Sequence, residues 1–316
     1  MLKTFQAFKQ YSGSSLNTHA LSDEEIRATQ TILLAMMDDF AALCREHGLT
    51  YFFSGGSALG AVRENGFIPW DDDIDIIMPR EDYDRLPRIV EQECSDRYWV
   101  QSIKTSEVFD LCFAKFRKKG TKYVELFESE PERAGFFLDV FPLEDTYDNP
   151  VLRFANGIVD EALFFIASCV RVHQQRERLM AYFDDASIQK TIRLKAAIGT
   201  LFDRGKDRRK WYKRCEKWQS KCKNPNSRHV TVSCGRGHYF GEMYLRDKLL
   251  PPAEHVFEGR HYYIPGDAGH LLRKLYGDGY MLPGNRRNAE KHSIVEWNPG
   301  NGAEKAIETR GETDSK

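Results

Sequence analysis

The sequence contains no long hydrophobic run. No stretch of 18 apolar residues occurs, and the longest apolar patch, Ala162 to Val170, is too short to cross a bilayer. The opening residues, Met1-Leu2-Lys3-Thr4-Phe5-Gln6, lack the apolar core of a secretory signal. An excess of charge of one sign is also missing. A net charge of −1 over 316 residues excludes a global attraction to nucleic acid or to an anionic membrane. The seven cysteines are odd in number and have no framework spacing, which excludes a disulfide scaffold and predicts a reducing compartment. These absences predict a cytoplasmic protein with no transmembrane segment and a core large enough for one or two domains.

The sequence does contain a dense acidic run, Asp71-Asp72-Asp73-Ile74-Asp75, leading into Ile76-Ile77-Met78. Read as one strand, it places Asp71, Asp73 and Asp75 on one face and Ile74, Ile76 and Met78 on the other. Aspartate is depleted in strands, and neighbouring carboxylates disfavour one another's ionisation unless a cation intervenes. Residues two apart along a strand are roughly 6.6 Å apart, so their side chains can converge on one ion or a pair. A solvated acidic turn is the alternative.

Upstream, Tyr51-Phe52-Phe53-Ser54-Gly55-Gly56-Ser57-Ala58 reads as a short strand, a Gly-Gly turn and a helix opening at Ser57. Glycines let a ligand approach the backbone, and the free N–H groups of a first helical turn attract phosphate. Gly55, Gly56 and Ser57 are therefore candidate phosphate-binding residues, and Arg63 adds a charged fork for phosphate oxygens. A phosphate cradle followed by a carboxylate-rich strand is the pairing that phosphoryl transfer requires. Further along, Phe137-Leu138-Asp139-Val140-Phe141 is an apolar strand with one carboxylate at its centre. A buried Asp139 needs a salt bridge or a metal, and the metal would unite it with Asp73 and Asp75.

The pieces Gly55-Gly56-Ser57, Ala61-Val62-Arg63, Phe67-Ile68-Pro69-Trp70-Asp71-Asp72-Asp73-Ile74-Asp75, Arg80-Glu81-Asp82-Tyr83 and Phe137 to Leu143 resemble the LicD family of phosphocholine transferases. That family is related to fukutin and fukutin-related protein within the nucleotidyltransferase superfamily. Later pieces, Phe257-Glu258-Gly259 and Leu275-Tyr276-Gly277-Asp278-Gly279-Tyr280, extend the resemblance, while residues 150 to 235 match poorly. It implies an α+β, nucleotidyltransferase-type fold: a small mixed sheet flanked by helices, with an additional helix-rich lobe. Patterning and composition together with the resemblance lead to an expected organisation of an N-terminal arm (1–20), a catalytic core (21–149), a helix-rich lobe (150–228), a part completing the site (229–299) and a disordered tail (300–316).

The resemblance also implies that Asp73, Asp75 and Asp139 are catalytic and hold Mg2+ or Mn2+, with Asp71 in an outer shell. Its members move a phospho-alcohol from a CDP-alcohol, typically CDP-choline, to a hydroxyl of a glycan or lipid-linked glycan and release CMP. His292 corresponds to a histidine near the end of the family pattern and is an acid-base candidate. Asp139 is the candidate to take the acceptor proton. Nucleotidyl transfer from an NTP, a metal-dependent glycosyltransferase and a non-catalytic homologue remain the alternatives.

Lys115 and Arg117 share a face if 109–117 is a strand, where they either reach donor phosphates or face solvent. Arg204 to Lys213 carries six Lys or Arg in ten positions, the solvated face of a helix or a contact for an anionic lipid-linked acceptor at the inner membrane face. Cys215, Cys222, Cys234 and His238 lack the short Cys-x-x-Cys knuckle of structural zinc sites. A capping box at Ser22 to Glu25 opens a helix that Gly48 closes, and Pro87 is expected to end or kink a helix over 80–94. Strands are expected near 98–103, 109–117, 121–126, 136–141 and 229–234, a hairpin over 256–263, and an Asp267-capped helix ending at Gly277.

Overall fold

The computed structural model describes residues 19–203, 205, 207, 209–283 and 293–300. The first long helix, Asp23–His47, is bounded by local chemistry. Ser22 and Glu25 form a reciprocal capping box, and Gly48 closes the helix at φ 60°. Its apolar face, including Leu33, Met37 and Phe40, is buried.

A seven-stranded mixed sheet lies against that helix. Its main path runs β1 (Phe52–Phe53), β2 (Asp75–Pro79), β6 (Phe137–Asp145), β4 (Ala114–Lys118) and β3 (Tyr98–Gln101). The far end of β6 pairs with β7 (His229–Thr231), which pairs with β8 (Met243–Leu245). β2 and β6 are parallel, and the remaining pairs are antiparallel. Phe116, Leu138, Val140 and Ile76 share the face toward the long helix, where Phe40 meets Phe116 at 5.4 Å between ring centroids. Asp75, Asp139 and Lys115 share the opposite face.

Two smaller sheets complete the strands: β5 (Lys122–Glu125) pairs with β11 (Ile294–Asn298), and β9 (Ala253–Phe257) with β10 (Arg260–Ile264). The latter hairpin turns through Glu258 and Gly259, both at positive φ. Phe257, Tyr262 and Leu271 join the main core. Between β6 and β7 stand the helices Pro150–Gln174, Arg176–Tyr182, Ala186–Phe202 and Lys210–Gln219. The chain thus combines helices with a mixed sheet, as an α+β reading expects.

Several elements differ from their expected bounds. The strand begins at Asp75, so Asp71 to Ile74 form an irregular approach to it. The Gly55–Glu64 helix starts two residues early, with Ser54 as its N-cap, because the glycines leave room for carboxylates against the first turn. Residues 109–113 are not strand: Arg171 lies 3.5 Å from Asp110, and β4 begins only at Ala114. The Arg80–Glu93 helix continues through Pro87, held by buried Leu86, Ile89 and Val90. Strand β6 runs on through Pro142 because β4 leaves it after Val140, where a missing N–H costs no ladder bond.

Candidate active site

The site is assembled by register. Asp75 on β2 lies beside Asp139 on β6, and Asp139 lies opposite Lys115 on β4, so the three share one face of adjacent strands. Neighbouring strands are about 4.8 Å apart, so Asp75 and Asp139 are first-row neighbours. Their strand interiors are buried: Ile76, Ile77, Met78, Leu138 and Val140 are fully covered.

The glycine-opened helix packs onto the same carboxylates. Gly55 adopts φ +51°, and a Cβ there would overlap Asp75 Oδ2. A Cβ on Gly56 would lie 2.5 Å from Asp71 Oδ2. Both glycines are therefore required by the close approach of carboxylates to the backbone. The Asp75 N–H donates to Ser57 Oγ at 2.9 Å, and the Ser54 N–H donates to the Asp75 carbonyl at 2.9 Å. Ser57 is buried, and its oxygen ties the helix to the acidic strand.

The remaining carboxylates of the run divide. Asp72 accepts from the Tyr123 hydroxyl at 2.8 Å, which fixes it toward β5. Burial, reinforced by Asp72, pushes the Tyr123 phenol well above its ordinary value, so it stays a donor. Asp71 and Asp73 are partly exposed. The backbone at Asp71 is anchored by Gln30, whose Nε2 donates to its carbonyl at 2.9 Å.

Lys115 is buried among anions and rings. Its Nζ lies 3.2 Å from Asp139 Oδ1, 2.9 Å from Glu125 Oε2 and 3.3 Å from the centroid of Phe137. The Asp139 contact is an ion pair without hydrogen-bond geometry, so Asp139 Oδ1, though buried, has no hydrogen-bond donor. Arg117, two residues on, is fully buried and pairs with Glu128, Gln101 and the Gly135 carbonyl. Burial opposes ionisation of Glu128, but the Arg117 guanidinium outweighs it and holds the carboxyl below its ordinary value. Sequence patterning did not reveal Glu125, Glu128 or Tyr123 as neighbours of the site, because their meeting depends on pairing across the sheet.

Arg63 has partners on the same helix and on a later loop. It pairs with Glu64 at 2.7 Å and donates to the carbonyls of Leu282 at 3.1 Å and Tyr280 at 3.4 Å, holding the Gly277–Pro283 loop to the helix. The β9–β10 hairpin closes on the same helix: Glu258 Oε1 accepts from the Phe67 N–H at 3.1 Å, and His255 Nε2 lies 3.0 Å from the Ala61 carbonyl. His292 lies outside the described residues.

The donor set suits a hard divalent cation: all-carboxylate oxygen, with one buried oxygen that has no hydrogen bond. Among the described residues, the group whose ligand atoms all lie within 4.8 Å of one another is Glu46, His47 and Glu93 rather than Asp73, Asp75 and Asp139. Asp139 is paired with Lys115 on β4.

Of the residues considered for zinc, Cys215 and Cys234 pack in one apolar cluster. Cys215 is buried with Cys112, Tyr212 and Ala167, and the His238 ring packs on Phe164 at 4.9 Å. All seven cysteines are free thiols. A cavity of about 600 Å³ lies beside Pro79, at the end of β2 away from Asp75, lined by Ser227, Arg228, Arg246 and Pro251. Its Arg246 is already bound to Asp145 and Ser227.

Residues 48–150 match the family model described as LicD/FKTN/FKRP, nucleotidyltransferase domain. This segment is a LicD-type domain. The matched segment contains every candidate carboxylate, the glycine-opened helix and Lys115.

The chain is 29% identical over 125 residues to the lipopolysaccharide cholinephosphotransferase LicD of Haemophilus influenzae, covering 40% of this chain and 46% of that protein. It is 29% identical over 119 residues to an uncharacterised protein of Rickettsia typhi, covering 35% and 38% of the two chains. A protein of Rickettsia prowazekii is 36% identical over 78 residues, covering 23% and 29%. The alignments span less than half the length of each of these relatives. A LicD-type transferase is the class that these likenesses support.

Proposed function

We propose that the protein is a metal-dependent LicD-type transferase. It moves a phospho-alcohol, phosphocholine by family default, from a CDP-alcohol to a hydroxyl of a glycan or lipid-linked glycan and releases CMP. The observation that carries the assignment is the in-register pair Asp75 and Asp139 facing a helix opened by Gly55 and Gly56, inside a LicD-type domain.

Asp73, Asp75 and Asp139 would hold Mg2+ or Mn2+, with Asp71 outside them, and the ion would offset charge on the donor diphosphate. The first-turn N–H groups at Gly55 and Gly56 offer an anion site for the donor phosphates. Lys115 supplies a buried positive charge beside Asp139. The acceptor oxygen attacks the distal phosphorus, the bond to the CMP oxygen breaks, and the acceptor proton passes to Asp139. The proposed compartment is the cytoplasm, where seven unpaired thiols remain reduced.

The test is a donor screen. The full chain is incubated with CDP-choline, CDP-ethanolamine, CDP-glycerol, CDP-ribitol or NTPs and each metal, and released nucleotides are identified by mass spectrometry. CMP from a CDP-alcohol, abolished by chelation and reduced by about 100-fold or more in Asp73→Ala, is expected. Pyrophosphate from an NTP would replace the assignment with nucleotidyl transfer. Turnover indifferent to Asp73→Ala would remove the site.

A further inference from the structure

The helix Pro150–Gln174 presents its apolar side to solvent. Asn149 caps it by accepting from the N–H groups of Val151 and Leu152. In its first half Val151 is 73% exposed, Leu152 54%, Phe154 62%, Ile158 51% and Val159 38%. Ala155 and Ala162 extend the stripe. A helix on a soluble core turns such residues inward. Here the inward side carries Asp160, 1% exposed, and Gly157, whose missing side chain admits the rings of Tyr239 and Phe240. Phe240 is itself exposed and meets Phe154 at 5.7 Å, widening the patch. A contiguous exposed apolar surface of this kind marks a docking site.

Cationic helices pack beside this helix. The Lys210–Gln219 helix is joined to the stripe by Trp218, whose Nε1 donates to the Asn156 carbonyl at 3.2 Å. It exposes Lys210, Lys213, Arg214 and Lys217, while its one acid, Glu216, is buried against Arg80. Lys213 is partly neutralised by Asp207 at 3.0 Å. The Ala186–Phe202 helix packs through Gly199 against Cys169 and His173. It contains no acidic residue and exposes Lys190, Arg193, Leu194, Leu201 and Phe202. Trp211 links the two cationic helices, its Nε1 donating to the Phe202 carbonyl at 3.2 Å. The acids of the central helix, Asp160 and Glu161, are buried and half-buried.

We infer that this face docks on the surface of an anionic lipid bilayer. An apolar stripe beside basic helices matches the boundary between acyl chains and anionic headgroups, and partly exposed tryptophans suit that depth. No helix among the described residues is long and apolar enough to cross a membrane, so the contact is one of lying on the surface. A second copy of the chain fits less well, because a two-fold contact would bring cationic helices together. The docking face does not rest on the transferase assignment.

Sedimentation of the full chain with vesicles tests the inference. Wild type binds vesicles of phosphatidylcholine containing phosphatidylglycerol, binds phosphatidylcholine alone weakly, and is partly released by salt. The pair Phe154→Gln and Ile158→Gln, both at exposed positions, loses binding with an unchanged melting temperature. The pair Lys213→Gln and Lys217→Gln weakens binding to anionic vesicles by about tenfold or more. Wild type that fails to bind, or a Phe154→Gln, Ile158→Gln protein that binds as well as wild type, overturns the inference. So does a wild-type dimer in sedimentation equilibrium that the same pair dissolves, which would make the face an interface between copies.

Discussion

Gly55 is the residue on which the acidic site closes. Its φ of +51° disfavours any side chain, and a Cβ would collide with Asp75 Oδ2. In Gly55→Ala the backbone alone costs about 1–2 kcal/mol. The variant should therefore unfold at lower denaturant, and its donor turnover should fall further than its stability, because Asp75 must move. Equal stability in urea titration would show that the helix start relaxes freely. Asp139→Asn keeps the shape of the side chain and removes the charge opposite Lys115. Donor turnover should drop by about 100-fold or more with the fold intact by circular dichroism. The run Asp71 to Asp75 could be singled out from composition, since four carboxylates beside an apolar strand require an explanation. The partner of Lys115 could not, because nothing local to Ala114–Lys118 states that β6 lies beside it.

Between elements, Arg80 is the principal polar fastener. It opens the Arg80–Glu93 helix and contacts Glu144 at the end of β6 and Glu216 on the Lys210–Gln219 helix. Burial works against the charge on Arg80, yet Glu144 and Glu216 outweigh it and hold the guanidinium protonated. Burial raises the Glu144 carboxyl above its ordinary value even with Arg80 beside it. Arg80→Leu strands two buried carboxylates and should cost about 3–5 kcal/mol at neutral pH. Glu144 accepts a proton more readily once its cation is gone, so the deficit should shrink as pH falls. Urea midpoints at pH 5 and 7.5 check this, and an equal deficit at both would sink the account.

The helix Asp23–His47 was legible because its capping box, apolar spacing and terminal glycine are all local. The Pro87 helix and the 109–113 segment were not, because tertiary burial overrides a proline and a tether at Asp110 overrides strand patterning.

For the whole molecule, two buried acids set a pH dependence. Burial raises Asp160 to about 7 and Glu242 to about 7, although neighbouring donors partly oppose the shift. Between the ordinary carboxylate range and pH 7 the folded state keeps protons that the unfolded chain has released. Their contribution to stability therefore falls as pH rises through that window and levels off above it. Asp160→Asn should gain stability relative to wild type between pH 5 and pH 8, measured as the shift in denaturation midpoint. A constant difference across that range would refute the burial argument.

The sequence by itself determined the chemistry in reach: clustered carboxylates, a glycine-opened helix start, a lone strand Asp139 and the resemblance that unites them. These signals are local, since a few adjacent residues set charge density, turn conformation and capping. Tertiary structure decided the rest. Parallel pairing of β2 with β6 brought Asp75 beside Asp139, antiparallel pairing with β4 brought Lys115, and packing in the helix-rich segment turned Val151, Phe154 and Ile158 outward. Strand register and helix orientation follow from which distant surfaces bury each other, and no window of neighbouring residues contains that information.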